Sequence, residues 1–405
     1  MLLSLAWRNI WRNKRRTLIT AASVLFAVLF SSVMQSIQHG TWDHMVDNVV
    51  NYYYGYLQIQ GKKFWEDRSI DEVIDRQTLL EKLSEGFKNS YPLVPRLESF
   101  ALASAGNRTQ GALMIGIDPD AENALTGLKG RISKGDYWQS SPEGILVGEG
   151  LAENSKIDVG DTLIFLSQGY HGANAIGEYP VRGLIHFASP DLSKTMVYLH
   201  LEDAQQFYAT GDQITSLVVG LKDKEELPGA IKALHSDLDT ATYAVKDWQE
   251  MMPELMQAKE MDTASANVIL IILYIIISFG IFGTILMMTK DRQYELGVLL
   301  SIGMRRMQLF GMMWMEVVMI GLVGVAMGFL ISVPLVKYLS LHPFQMTGEY
   351  AKAYEKFGAE PIIPPAFDWN IFSWQVLFVF VITTVLAFYP FWVIRKMKPV
   401  EAMRL

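Results

Sequence analysis

The sequence predicts an α-helical membrane protein with four transmembrane helices, one before and three after a large outward-facing domain of mixed α/β structure. Three observations carry that reading. First, four runs free of Asp, Glu, Lys and Arg have spanning length: Thr17 to Gln38 (22 residues), Thr263 to Thr289 (27), Val317 to Val336 (20) and Trp369 to Ile394 (26). A bilayer core of about 30 Å takes roughly 20 apolar residues of helix. Second, Lys and Arg cluster beside these runs in a pattern that fixes one orientation. Third, residues 39–263 hold 34 acids against 19 bases, a net of −15, whereas the whole chain is −7, so the other 180 residues carry +8. With 50% hydrophobic and 19% charged residues and no cysteine, a disordered chain and a disulfide scaffold are both excluded.

The elements follow in order. Residues 1–16 carry Arg8, Arg12, Lys14, Arg15 and Arg16 and no acid, which puts the N-terminus inside. Leu2, Leu3, Ala6, Trp7, Ile10 and Trp11 share one side of a predicted amphipathic helix. Its Trp rings suit the membrane interface, and Arg8, Arg12, Arg15 and Arg16 suit anionic headgroups of the lipid bilayer. The first span, 17–38, is expected to stay as an uncleaved anchor, because it exceeds a signal h-region and Ser36 to Gly40 has no small-x-small site. The outer domain occupies 39–263 and the second span 264–289. The loop 290–306 has Lys290, Arg292, Arg305 and Arg306 against Asp291 and Glu295 and belongs inside. The third span is 307–336. The segment 337–370, with Glu349, Glu355, Glu360 and Asp368 against three Lys, lies outside. The fourth span is 371–394, and the tail 395–405, with Arg395, Lys396, Lys398 and Arg404 against Glu401, returns inside.

Within the outer domain, the Tyr-rich Asn51 to Gln60 reads as a strand and Asp71 to Lys88 as a helix. Gly144 to Gly150, Thr162 to Leu166, Tyr179 to Phe187, Met196 to Leu199 and Thr215 to Leu221 read as strands, Leu201 to Tyr208 and Leu227 to Leu238 as helices. Chemistry is hard to find there. The Gly61-Lys62 pair lacks the rest of a phosphate loop, no His-Glu-x-x-His occurs, and Gly148-x-Gly150 stands without a dinucleotide-binding context. His39 and His44 are five apart, a poor same-face spacing for a metal, and read as membrane-proximal polar residues. The sequence offers no nucleic-acid-binding feature and no catalytic or metal site.

The inner loop is the most informative stretch. A charged segment (Asp291, Arg292, Glu295) precedes an apolar one (Leu296, Val298, Leu299, Leu300), then Gly303 and a basic pair. A loop this short cannot form a domain; it reads as a small helix along the membrane surface that offers its side chains to something else. Here the sequence resembles the FtsX/MacB-like permeases of ABC transporters. The resemblance rests on Glu295-Leu296-Gly297 and Ser301-Ile302-Gly303-Met304-Arg305-Arg306. It continues with Glu316 followed by Gly321, Gly324 and Gly328, and with Tyr389-Pro390 and Lys398-Pro399-Val400-Glu401-Ala402-Met403-Arg404 at the end. Gly148-Glu149-Gly150-Leu151-Ala152 followed by Val159-Gly160-Asp161 looks like the family's MacB-like periplasmic core domain.

The resemblance implies a subunit of the bacterial inner membrane, with both termini cytoplasmic and 39–263 periplasmic. In layout it is most similar to the lipoprotein-releasing (LolC/LolE-like) permeases. Residues 290–306 would be a coupling helix docking on a cytoplasmic ABC ATPase dimer through Glu295, Leu296, Leu299 and the Gly303, Met304, Arg305, Arg306 turn. ATP and Mg would then sit on that partner and no cofactor on this chain, which would not itself be an enzyme. A second permease subunit, identical or related, and a periplasmic carrier or adaptor protein complete the expected partners. Glu316 is costly facing lipid and is expected to face protein or to lie near the inner interface; the spans carry no second ionisable group near it. Gly324-x-x-x-Gly328 permits close helix packing. Driving tripartite efflux of a drug or lipid-like compound, or controlling a periplasmic cell-wall hydrolase, are the alternatives. The 337–370 segment, with Tyr350, Tyr354, Phe357 and Pro361, is longer than the family pattern suggests.

Overall fold

The computed structural model describes residues 14–138, 143–187, 189–349, 351 and 362–398. They fall into two units, one from Met1–His44, Ala258–Gln345 and Ile362–Leu405 and the other from Met45–Gln257 and Met346–Pro361.

In the first unit, four helices are long and apolar enough to cross a membrane among the described residues. They are Lys14–Val49, Pro253–Asp291, Arg306–Leu341, and Trp369–Leu386 continued by Tyr389–Lys396. The first two outrun their apolar runs and each carries residues of both units. At 1.5 Å per residue, the 36 residues of the first helix extend about 54 Å, well beyond a bilayer core of about 30 Å. The apolar core joins Val24, Ala27 and Val28 of the first helix to Ile281 and Ile285 of the second, Val317 and Ile320 of the third, and Val379 of the fourth. Beyond its apolar run the second helix is tied to the first by Asp262, whose Oδ2 accepts from Trp42 Nε1 at 2.6 Å. Gly40 lies where a Cβ would stand 1.9 Å from the Pro364 carbonyl oxygen, so only glycine admits that segment there. Ala366 N–H donates to the Ser36 carbonyl at 2.8 Å on the same helix.

The second unit is built on one sheet of ten strands among the described residues. Its strands are β1 (Leu57–Gly61), β3 (Leu93–Ala105), β4 (Arg108–Ile117), β5 (Ile132–Gly135), β6 (Ile145–Gly148), β7 (Thr162–Gln168), β8 (Asn174–Ile185), β9 (Met196–His200), β11 (Ser216–Val219) and β12 (Tyr243–Asp247); β2 (Ile74–Asp75) and β10 (Gln213–Ile214) form a separate pair. β7 pairs with both β3 and β8, so the pairings β3–β4–β9–β6–β8–β7–β3 close a ring. Leu97, Met114, Val147, Phe165, Val197 and Leu217 fill its apolar core, with Leu79, Phe207 and Leu234 from packed helices.

Two expectations for this unit are corrected. Asn51 to Gln60 is not a strand throughout: the first long helix continues as a π-turn over Val50–Tyr54, ends at Gly55 (φ 69°), and β1 begins at Leu57. The turn is held by a buried arginine, since Arg96 Nη1 donates to the Tyr53 carbonyl and Tyr53 Oη donates to Glu98 Oε2. Asp71 to Lys88 is not one helix either. Asp75 Oδ1 accepts from Thr78 N–H at 2.7 Å and starts a helix over Arg76–Lys82, extended Leu83 breaks it, and a second covers Glu85–Ser90.

Candidate functional site

The loop between the second and third long helices is a short helix with two defined ends. The second helix closes at Asp291, Arg292 bends the chain, and Gln293–Ser301 forms the short helix. It is closed by Gly303 N–H donating to the Leu300 carbonyl and Met304 N–H to that of Leu299, each at 3.1 Å. Gly303 has φ 101°, a left-handed conformation that side chains resist. Extended Arg305 then caps the third helix, its N–H donating to Gln308 Oε1 at 3.2 Å.

The short helix has one face in and one face out. Leu296 is 1% exposed and Gly297 is buried, both turned into the unit's own core, with Leu299 and Met304 half-buried against that core. Tyr294 is 56% exposed and Ile302 78% exposed, and Glu295, Ser301 and Arg305 are exposed too. Leu296, expected at the ATPase contact, has its side chain in this chain's own core, and Tyr294 and Ile302 are the large outward groups. Arg306 is also committed internally, its Nη1 donating to the Arg395 carbonyl and its Nη2 to that of Met397 at 3.1 Å. A cavity of about 210 Å³ beside it is lined by Arg306, Met307, Phe391, Ile394 and Arg395.

Glu316 is 2% exposed and sits inside the protein, where Arg292 Nη1 reaches its Oε2. Arg292, 24 residues away in sequence, is the charge partner that a search along the spans did not find. Among the described residues its Nε and Nη2 make no hydrogen bond, and its Nε stands 3.9 Å from Glu295 Oε2.

The glycines of the third helix are contact points. A Cβ on Gly324 would stand 2.7 Å from the Ala21 carbonyl oxygen and from Val24 Cβ, and one on Gly328 2.8 Å from Val28 Cβ, so the first helix lies directly against both. Gly321 faces Thr383 of the fourth helix, 2.8 Å from where its Cβ would be. Of the interfacial residues, Arg15 is exposed in the first helix and Arg16 is helical, whereas Trp7, Arg8, Trp11 and Arg12 lie outside the described residues.

In the other unit, Gly148 and Gly150 are explained by packing. A Cβ on Gly148 would fall 2.2 Å from the Ser193 carbonyl oxygen, and Gly150 N–H donates to Ser193 Oγ at 2.9 Å. No group of three or more His, Cys, Asp or Glu suited to a metal occurs among the described residues. Fully buried Arg96 is held in a bidentate pair with Glu122, at 2.9 and 2.7 Å. Burial favours its neutral form, but the Glu122 carboxylate outweighs this and raises the pKa, keeping the guanidinium charged. On one outer surface Leu102 of β3 lies opposite Leu166 of β7, which lies opposite Ile176 of β8. All three are exposed, as are Phe100 and Ile164, so the solvent face carries a continuous apolar strip.

Residues 17–236 match the model of the MacB-like periplasmic core domain and residues 267–399 that of the FtsX-like permease C-terminal region. A lipoprotein-releasing system transmembrane protein, LolC of Xylella fastidiosa, is 23% identical over 320 residues, 76% of each chain. The macrolide export ATP-binding/permease protein MacB of Escherichia coli is 30% identical over 124 residues, 29% of this chain and 19% of its own. Among solved structures, the periplasmic region of MacB from Actinobacillus actinomycetemcomitans covers 52% of this chain and 96% of its own, at 15% identity and a TM-score of 0.34. With one matched region covering the first long helix and most of the sheet, and the other the remaining helices and their loop, the chain belongs to the FtsX/MacB-like family of ABC transporter permeases.

Proposed function

We propose that this chain is the permease subunit that carries movement from a separate cytoplasmic ATPase to a periplasmic domain, in the service of releasing lipoproteins from the inner membrane. In this reading four spans are arranged one plus three, both termini are cytoplasmic, and the ten-stranded unit is periplasmic. ATP and Mg are bound and turned over by the partner, and the chain contributes no catalytic group. The observation that carries the reading is the short helix between two spans, anchored inward by Leu296 and presenting Tyr294, Glu295 and Ile302 outward. Such a helix is a contact for another protein.

Three further features support the partners. The first and second long helices each carry residues of both units, so helix movement in the membrane is continuous with the chain of the sheet unit. Ile269, Ile272, Ile276 and Phe279 form an exposed stripe at helical spacing on the second helix, which suits a second permease subunit. The apolar strip of Leu102, Leu166 and Ile176 suits a periplasmic carrier or adaptor. Lipoprotein release is preferred over efflux because alignment with LolC extends over 76% of both chains, against 29% of this chain for MacB. The deciding experiment reconstitutes the permease with its ATPase in vesicles containing a labelled lipoprotein and a soluble periplasmic acceptor. Transfer to the acceptor that requires ATP is expected; ATP-driven movement of a hydrophobic drug without lipoprotein transfer would refute the cargo assignment.

A further inference from the structure

An arginine fastens each end of the loop between the second and third long helices: Arg292 precedes the Gln293–Ser301 helix, and Arg306 is the first residue of the third helix. At the start, Arg292 is 3% exposed and bonds to Glu316, itself 2% exposed, within the third long helix. At the end, Arg306 donates to the carbonyls of Arg395 and Met397, where the last helix finishes. The final carbonyls of a helix lack partners within it and carry the negative end of its dipole, so a guanidinium is well matched to them. Between these points Leu296 and Gly297 are buried. The short helix is thus bonded at its start to the third helix and packed at its middle into the unit's core, and the third helix is bonded in turn to the end of the fourth.

A buried ion pair is a poor way to gain stability, because apolar side chains of similar size generally serve as well. Among the described residues, the Arg292 Nε and Nη2 donors also find no hydrogen-bond acceptor. What the pair adds is direction: it fixes which turn of the third helix the loop must meet. We propose that Arg292, Glu316 and Arg306 are positioning residues: the Arg292–Glu316 pair fixes the short helix to the third long helix and Arg306 fixes the third to the end of the fourth, so that load on the exposed face of the short helix moves all of them as one body. This rests on the reading of the loop as the ATPase contact. Without the pair, the short helix would follow the ATPase while the third helix lagged behind.

The test uses the full permease with its ATPase in lipid nanodiscs. Arg292→Met alone takes the Arg292 charge from the buried Glu316 carboxylate and is prone to misfold, so the informative variant is Arg292→Met with Glu316→Gln, which removes both charges. Arg306→Ala tests the other end. Both leave Tyr294, Glu295 and Ile302 intact, so the ATPase should co-purify in normal amount. Hydrogen exchange across residues 293–301 is expected to accelerate, and maximal permease-stimulated ATP turnover to fall by roughly tenfold, within the usual 5- to 150-fold range of coupling between sites. Unchanged exchange, or unchanged maximal stimulation, in the double variant overturns the proposal. Failure of the underlying reading is distinguishable, because then substitutions on the exposed face would not weaken ATPase binding at all.

Discussion

Ile302→Asp should separate the permease from its ATPase without unfolding it. The wild-type side chain is 78% exposed, so nearly all of its apolar surface is still available to be buried on docking. Fully burying an Ile contributes about 1.5–3 kcal/mol, and that gain is lost. The new carboxylate would have to be desolvated against the partner, and damage to a buried interfacial contact of this kind costs about 2–5 kcal/mol. At about 1.4 kcal/mol per tenfold change, affinity for the ATPase should drop by a factor of tens to thousands. Glu295→Lys acts at the rim and should change the association rate and its salt dependence more than the final affinity. Leu296→Asp is the internal control: at 1% exposure it puts a carboxylate into the core and should abolish folded expression. The assay is membrane expression by fluorescence-detected size exclusion, ATPase co-purification, and stimulated ATP turnover, run in parallel. If Ile302→Asp keeps full binding and stimulation, the outward face is not the contact. If Leu296→Asp expresses normally and loses only the ATPase, the inward assignment of Leu296 is wrong.

Other expected outcomes follow from single contacts. Gly324→Leu should lower the thermal midpoint in detergent, because its Cβ meets the Ala21 carbonyl and Val24 at 2.7 Å and overpacking costs about 1–3 kcal/mol; Gly311→Ala on the same helix, where nothing lies within 4 Å, should be neutral or stabilising by up to about 1 kcal/mol. Arg96→Met strands the buried Glu122 carboxylate and should destabilise the sheet unit by about 3–5 kcal/mol, much of it recovered by adding Glu122→Leu; paired thermal melts of the two variants check this. Reporter fusions after Gly40 and after His342 should read as external and fusions after Lys290 and at Leu405 as cytoplasmic; an internal reading at Gly40 would overturn the proposed orientation.

Several features of the fold were legible because one physical demand dominates the local sequence. A bilayer tolerates few charges, so the four uncharged runs fall within the four long apolar helices. Leu201–Tyr208 was readable from its spacing, with Leu201, Ala204, Phe207 and Tyr208 buried on one side. The long β3–β4 hairpin was not read, because Pro92 and Pro95 punctuate its start; yet Pro95 sits within β3, opposite Leu217 of β11. Tyr52, Tyr53 and Tyr54 favour strands by propensity, but a helix entering from the N-terminal side continues through them, and Arg96 supplies the carbonyl's partner from 43 residues away. Propensity is local, and that contact is not.

The same distinction divides the loop itself. Glu316 within an apolar run signalled a buried charge in need of a partner, and Arg292 was one of few cations near that end of the helix, but only the fold brings the two together. Leu296 belongs to the motif expected at the contact surface, yet its side chain lies in the chain's own core. In the structure most of that motif is architecture: Leu296 and Gly297 are buried, Gly303 takes φ 101°, and Arg306 caps the last helix. Of the motif's charged residues, Glu295 and Arg305 are exposed, Glu295 3.9 Å from Arg292 Nε and Arg305 at the cap of the third helix. On the proposed function, holding the helix in place falls mainly to buried residues, and choice of the ATPase to the exposed Tyr294, Glu295, Ile302 and Arg305. A permease with the same fastening residues but a different side chain at Tyr294 or Ile302 should keep the loop geometry and bind this ATPase less tightly.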